Sequence, residues 1–280
     1  MDMVQLMVPA KLNLYLDIVG IRPDGYHLLQ SIFQTVSIYD IISLQRAENI
    51  RLDCSDSNLP LGMDNLAYKA ATLFLNKTGL NEGVCIHLEK HIPYGAGMGG
   101  GSSDAAAVLL GLNRLFSVGL SIKELADLAL LLGADVPYFL HKGTALVEGI
   151  GEIIRPTSPL TQGCFLVVKP MFEISTAWAY QQFDAMSKIE KTSLNAMETA
   201  LCNADLTLLS ENLFNALEQA VHHEEIQFIK EKLLSVGALG SCMTGSGSAV
   251  FGVFESMERA RKAADFLGEI YPNIFICRPV

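Results

Sequence analysis

Residues 8–19, VPAKLNLYLDIV, alternate: Ala10, Leu12, Leu14, Leu16 and Ile18 fall on one face, and Lys11, Asn13, Tyr15 and Asp17 on the other. A period of two with one apolar face predicts a half-buried strand. Further strands are predicted at 34–38, 40–45, 50–53 and 83–89, with a helix over 65–78 between the last two. Two more helices are predicted near 103–116 and 121–132. The prolines and turn residues of GTALVEGIGEIIRPTSPL predict a junction around 155–160. GCFLVVKP then opens a second half as a strand, followed by helices near 176–187, 212–220 and 224–236. Strands and helices mixed without a regular βαβ period indicate the α+β class rather than a doubly wound parallel sheet. The expected division is 1–157 and 158–280.

Composition narrows the function classes. Half the residues are hydrophobic and 18% are charged, which excludes a disordered or collagen-like chain. Apolar runs such as Ala105–Leu110 fall far short of the roughly 20 residues that cross a bilayer, and Asp2 stands where a secretory leader would carry positive charge. A cytoplasmic protein with no membrane partner is expected. The formal net charge of -10 argues against broad attraction to nucleic acid. Six scattered cysteines without a CxxC pair read as mostly buried thiols. His87 and His91 sit on a strand and its exit, where a spacing of four does not stack side chains, so no metal site is expected. His222 and His223 read as surface histidines.

The sharpest local signal is IPYGAGMGGGSSDAAAVLLGL, where five of the seven residues from Gly95 to Gly101 are glycine. A glycine-rich loop running into a helix lets backbone N–H groups converge on phosphate, and the helix start adds unpaired donors and partial positive charge. Ser102 and Ser103 are placed to cap the helix or to contact phosphate or its metal. Asp104 would repel a phosphate unless it faces Mg²⁺ or another cation. The loop is neither GxxxxGK[ST] nor a good dinucleotide fingerprint.

IPYGAGMGGGSSDAA, together with PAKLNL near the start and TGSGSAVFGVF near the end, resembles the GHMP kinases: galactokinase, homoserine kinase, mevalonate kinase and phosphomevalonate kinase. The three motifs occur in order across nearly the whole chain. The resemblance implies a two-domain α+β fold with a ribosomal-protein-S5-domain-2-like nucleotide domain, a ferredoxin-like α/β-plait domain and a site in the cleft between them. Within the superfamily, PAKLNLYLDIVGIRPDGYHLLQSIFQTVSIYD, GGGSSDAAAVLLGLN and LGADVPYFL are similar to the branch acting on 4-diphosphocytidyl-2-C-methyl-D-erythritol. That branch phosphorylates the 2-hydroxyl with ATP in non-mevalonate isoprenoid synthesis. A kinase for homoserine or a mevalonate-type alcohol is the alternative, as is a nucleotide-binding regulator without transfer chemistry; the presence of both Lys11 and Asp135 argues against the latter.

The resemblance also implies roles. Asp135, in LGADVP, would be the base that accepts the hydroxyl proton, and Lys11 would orient that hydroxyl. ATP would lie along Pro93, Tyr94, Gly95, Ala96, Gly97, Met98, Gly99, Gly100, Gly101, Ser102 and Ser103, with Asn65 and Lys90 approaching adenine. Mg²⁺ would arrive mainly through ATP. The partner is a small molecule carrying a cytidine diphosphate group: Tyr26 would stack on the base and His27 would recognise its edge, with Tyr180 as a second stacking face. Asn13 would face the same site as Lys11, since side chains two apart on a strand emerge about 7 Å apart on one side. Thr176 would touch substrate, and Gly245, Ser246 and Gly247 would close the site.

Overall fold

A computed structural model describes residues 3–280, and the aspartate at position 2 weighed above lies outside them. In chain order the elements are β1 (Met3–Ile21), β2 (His27–Ala47), β3 (Arg51–Cys54), α1 (Leu66–Thr78), β4 (Gly83–Glu89), α2 (Gly100–Leu115), α3 (Ile122–Leu132), α4 (Tyr138–His141), β5 (Thr144–Gly149) and β6 (Ile153–Pro156). They continue with β7 (Cys164–Val168), α5 (Thr176–Asp184), α6 (Leu194–Asn203), α7 (Leu206–Glu211), β8 (Phe214–Asn215), α8 (Ala216–Val221), α9 (Glu224–Ser235), β9 (Gly240–Met243), β10 (Val250–Phe254), α10 (Met257–Leu267) and β11 (Ile274–Cys277). The larger sheet runs β3-β4-β2-β1-β8, with β5 beside β2 and β6 beside β5. The smaller sheet runs β11-β7-β10-β9.

Two compact units share the chain. One gathers the residues up to Ala10, Ile38–Tyr94 and Gly99–Lys142; the other gathers Lys11–Ser37, Gly95–Met98 and Gly143–Val280. In the first, β4 pairs antiparallel with Ile41–Ala47 of β2, and β3 pairs parallel with β4. The Ala/Leu-rich α2 buries most of its length, and its small residues let the backbone approach β2. At Gly111 an added Cβ would lie 2.4 Å from Leu44 Cδ1. Ser121 caps α3 in a reciprocal box with Glu124, which accounts for a helix start legible in the sequence.

In the second unit all pairings of the four-stranded sheet are antiparallel. Numbered by their own order along the chain, its strands lie 4-1-3-2, with α10 between the last two: the ferredoxin-like arrangement. CFLVV of β7 and VFGVF of β10 are buried throughout, so they carry no alternation. They pack with Ile229 and Leu233 of α9 and Ala263 and Leu267 of α10.

Four expectations are corrected. β1 is buried on both faces: Lys11, Asn13, Tyr15 and Asp17 are as buried as the leucines between them, because each polar group finds a partner within the protein. Asp17 accepts from Lys191 Nζ at 2.8 Å, and the Tyr15 ring lies 5.1 Å from that of Phe214. Burial, with the Asp17 charge adding to it, pushes the Tyr15 phenol up to about 12. The strands expected at 34–38 and 40–45 are one strand, β2, which runs straight through Asp40. The helix expected over 212–220 begins only at Ala216, because Phe214 and Asn215 pair with Tyr15 and Leu16 of β1 and Asn215 then caps the helix. Of the six thiols, only Cys164, Cys242 and Cys277 are buried; Cys54 and Cys85 are half-buried and Cys202 is exposed. No helix among the described residues is long and apolar enough to cross a membrane.

Candidate active site

In the second unit the glycine loop meets a second one. Gly95, Gly97 and Gly99 all take positive φ (62°, 72° and 72°), which favours glycine. The residues between them, Ala96 and Met98, turn their side chains into the core. A Cβ on Gly97 would lie 2.1 Å from the Thr244 carbonyl oxygen, one on Gly245 would lie 2.8 Å from the Gly97 carbonyl oxygen, and one on Gly95 would lie 2.7 Å from the Glu173 carboxyl carbon. Backbone bonds join the two loops: Ser248 N–H donates to Gly95 O and Ala249 N–H to Ala96 O, each at 3.3 Å. Gly97 therefore answers to the protein's own backbone and Gly95 to the Glu173 side chain.

Lys11 and Asn13 meet at the same place. Lys11 N–H donates to Met98 O at 2.9 Å, and its ammonium donates to Asn13 Oδ1 at 2.5 Å and lies 4.7 Å from the centre of the Phe33 ring. Asn13 N–H donates to Thr244 Oγ1 at 3.0 Å, and Asn13 Nδ2 donates to Ser31 Oγ at 3.1 Å. Thr244 Oγ1 lies 3.2 Å from Asn13 Oδ1 and 3.4 Å from Gly97 O. The Asn215 side chain donates to the carbonyls of Met243 and Gly245 at 2.7 and 2.8 Å. Buried Glu218 accepts from Met243 N–H at 2.6 Å and pairs with Lys230. Thr176 and Ser246 come together, their hydroxyls 2.9 Å apart.

The segment after β1 forms a further cluster in the same unit. Arg22 N–H donates to Tyr26 O at 2.7 Å, closing a turn in which Gly25 takes φ 86°; Tyr26 is exposed. The His27 ring lies 4.6 Å from the Tyr180 ring at 31°, and its Nε2 is 2.8 Å from Asp184 Oδ1. His27 and Tyr180 were each expected at the cytidine; Asp184 was not. Its signal is the spacing of four from Tyr180 on one helix, which puts the two side chains on one face.

In the first unit, Asp135 lies half-buried in the turn between α3 and α4. Gly100 and Gly101 already belong to α2, whose N-cap is Gly99 and which has no side-chain cap. Ser103 therefore caps nothing: its buried hydroxyl donates to Pro9 O at 2.8 Å, tying α2 to β1. Asn65 caps α1, accepting from Ala67 N–H at 2.9 Å and donating through Nδ2 to Pro60 O. Lys90 was expected near adenine; its ammonium is held by two buried carboxylates, Asp40 and, at 2.7 Å, Asp104. Burial alone would lower the Lys90 pKa, but the two carboxylates raise it. Asp104 is pushed up to about 7 by burial, against the pull of Lys90 and with repulsion from Asp40. The cation facing Asp104 is thus a lysine. Pro93 is half-buried, Tyr94 is exposed and Ser102 is half-buried. Among the described residues no group of three or more His, Cys, Asp or Glu is placed to hold a metal ion.

Two family patterns match this chain: GHMP kinases N terminal domain over residues 65–143 and GHMP kinases C terminal over 197–273. The chain belongs to the GHMP kinases. Relatives named 4-diphosphocytidyl-2-C-methyl-D-erythritol kinase include one from Clostridium botulinum (strain Eklund 17B / Type B), 42% identical over 97% of this chain and 98% of its own. Another, from Clostridium perfringens (strain ATCC 13124), is 43% identical over 97% of this chain and 96% of its own. A crystal structure of 4-(cytidine 5'-diphospho)-2C-methyl-D-erythritol kinase superposes with TM-score 0.83 at 34% identity, covering 98% of each chain. Homoserine kinase from Cytophaga hutchinsonii, at TM-score 0.78 and 19% identity over all of this chain and 95% of its own, shares the fold. As a GHMP kinase the chain is an α+β phosphotransferase with ATP as its phosphate donor.

Proposed function

We propose that this GHMP kinase transfers the γ-phosphoryl group of ATP to the 2-hydroxyl of 4-diphosphocytidyl-2-C-methyl-D-erythritol, yielding the 2-phosphate and ADP for non-mevalonate isoprenoid synthesis. Near-full-length similarity to relatives bearing that substrate's name supports it, and one feature of this chain carries it: the fixed imidazole of His27. Asp184 holds the ring at Nε2, and in the tautomer that donates Nε2–H to this carboxylate Nδ1 is an acceptor. An acceptor beside the Tyr180 ring suits the exocyclic amino donor of cytosine, with the exposed Tyr26 as the face that would stack on the base. Thr176, Ser246, Gly245 and Gly247 would lie along the rest of the substrate.

In the transfer itself, Asp135 accepts the proton as the substrate oxygen bonds to the γ-phosphorus and the bond to ADP breaks. Lys11, its ammonium steadied by Asn13 Oδ1, orients the hydroxyl and offsets developing charge. The residues from Pro93 to Ser102 cradle the triphosphate through backbone N–H groups and the start of α2, which explains how an acidic chain takes an anion. Mg²⁺ bound together with ATP would supply charge neutralisation at the transferring phosphate. Asn65 and the stem of Lys90 would border adenine, and residues 1–157 would supply nucleotide binding with 158–280 completing the alcohol's site. A cytoplasmic setting fits a soluble substrate of this kind.

The test is phosphorus NMR of protein, ATP and Mg²⁺ with a panel of alcohols: the diphosphocytidyl polyol, homoserine and mevalonate. Phosphate should move only to the first, and transfer to another alcohol alone overturns the assignment. For the roles, Asp135→Asn should bind both substrates and lose about 10²-fold or more in single-turnover rate. A wild-type rate would remove Asp135 as the base.

A further inference from the structure

The glycine loop leaves the first unit after Tyr94 and re-enters it at Gly99, and both ends are tied to one buried cluster. Asp40, in the middle of β2, is fully inaccessible to solvent. Its Oδ1 accepts from His91 N–H at 2.6 Å and Ile92 N–H at 2.8 Å, and its Oδ2 accepts from the Lys90 ammonium. Three consecutive residues between the end of β4 and Pro93 are thus held by a single carboxylate. The same ammonium reaches Asp104 Oδ2 on the second turn of α2 at 2.7 Å. A Cβ on Gly100 would lie 3.3 Å from Lys90 Nζ and 3.0 Å from Ile92 Cγ2, so the helix start lies directly on this cluster.

We infer that Asp40 is a positioning residue for the ATP loop, fixing where its backbone donors point without touching the nucleotide. The inference rests on the reading of Gly95–Gly101 as the triphosphate cradle. A carboxylate is required because the site presents three donors, two amides and an ammonium, to one side chain. An amide in its place offers one acceptor oxygen and turns an N–H₂ toward the lysine. Donors for a polyphosphate must converge on fixed points, so a loop whose ends can drift loses nucleotide binding before it loses the fold.

The experiment compares wild-type protein with Asp40→Asn in steady-state kinetics and in calorimetric titration with Mg-ATP. The KM for ATP should rise about tenfold or more, while the KM for the alcohol and kcat at saturating ATP stay within about threefold, the split expected when uniform binding of one substrate is lost. An unchanged KM for ATP, or equal rises for both substrates, overturns the inference. Wild-type protein that fails to bind Mg-ATP overturns the cradle reading and the inference with it; wild-type binding that Asp40→Asn leaves untouched overturns the inference alone. Should Asp40→Asn not fold, amide hydrogen exchange on the wild-type protein decides. The His91 and Ile92 amides should be protected in free and ATP-bound protein alike, and exchange at the rate of an open peptide overturns the role.

Discussion

The two glycine loops are anchored by similar chemistry with different charge balance. Before the first loop, Asp40 holds two backbone amides and Lys90; before the second, Glu218 holds the Met243 amide and Lys230. The second anchor has one carboxylate for one ammonium, helped by the neutral amide of Asn215. The first has two carboxylates for one ammonium, and Asp104 Oδ1 is buried without a hydrogen-bond partner. Out of water and beside a second carboxylate, the Asp104 carboxyl is held well above the usual carboxylate range. The N-terminal loop should therefore respond to pH through Asp104.

The largest expected effect tests whether the loops are mutually fitted. Gly97→Val puts a β-branched side chain at φ 72° and against the Thr244 carbonyl. It should cost more than about 4 kcal/mol by chemical denaturation. Wild-type stability would dissolve the claim that the glycines answer to each other.

The second anchor comes next. Glu218→Ala removes the acceptor for Met243 N–H and leaves the Lys230 charge unpartnered, at a cost of about 3 kcal/mol. Glu218→Gln, which keeps an acceptor for the amide, should recover about half of that. Equal losses would make the charge, rather than the amide bond, the whole of the anchor.

The first anchor should respond to pH. The Asp104 carboxyl is raised from 3.8 to about 7 in the folded protein, so between those values the folded state binds the proton that the unfolded chain releases. Its contribution is fully present below about pH 4 and is lost as pH rises through about 7. Stability should fall by about 2 kcal/mol from pH 5 to 8 through this group, and Asp104→Asn should flatten that slope. An unaltered slope in Asp104→Asn would erase the contrast between the anchors. The smallest effect comes from Gly101→Ala: the added methyl lies 3.5 Å from Leu66 Cδ1 at an exposed helical position. It should stabilise by about 0.5–1 kcal/mol. A simultaneous rise in the KM for ATP would show that this turn carries phosphate, as Gly97 does not need to.

What the sequence determined by itself is what short-range patterning encodes. The first strand, β4, the three helices around the glycine loop and the β7 strand follow from periodicities, caps and turn residues that act over a few positions. The expectation of a phosphate loop came from its glycines and the helix after them, and that of His27 and Tyr180 at one base from the family resemblance. Tertiary structure decided where polar groups are satisfied, since a partner 50 or 230 residues away leaves no local trace. One strand was expected to end at Ile38 and another to start at Asp40, yet the Asp40 charge is met by the amides of His91 and Ile92 and by Lys90, so a single strand runs through. Lys11, Asn13 and Asp17 read as a solvated face, but bonds to Met98, Thr244 and Lys191 let β1 be covered on both sides. Asn215 would start no strand on propensity alone; pairing with β1 makes one and delays the helix. Burial of a polar group costs little once its donors and acceptors are matched. Only the folded chain brings those matches together.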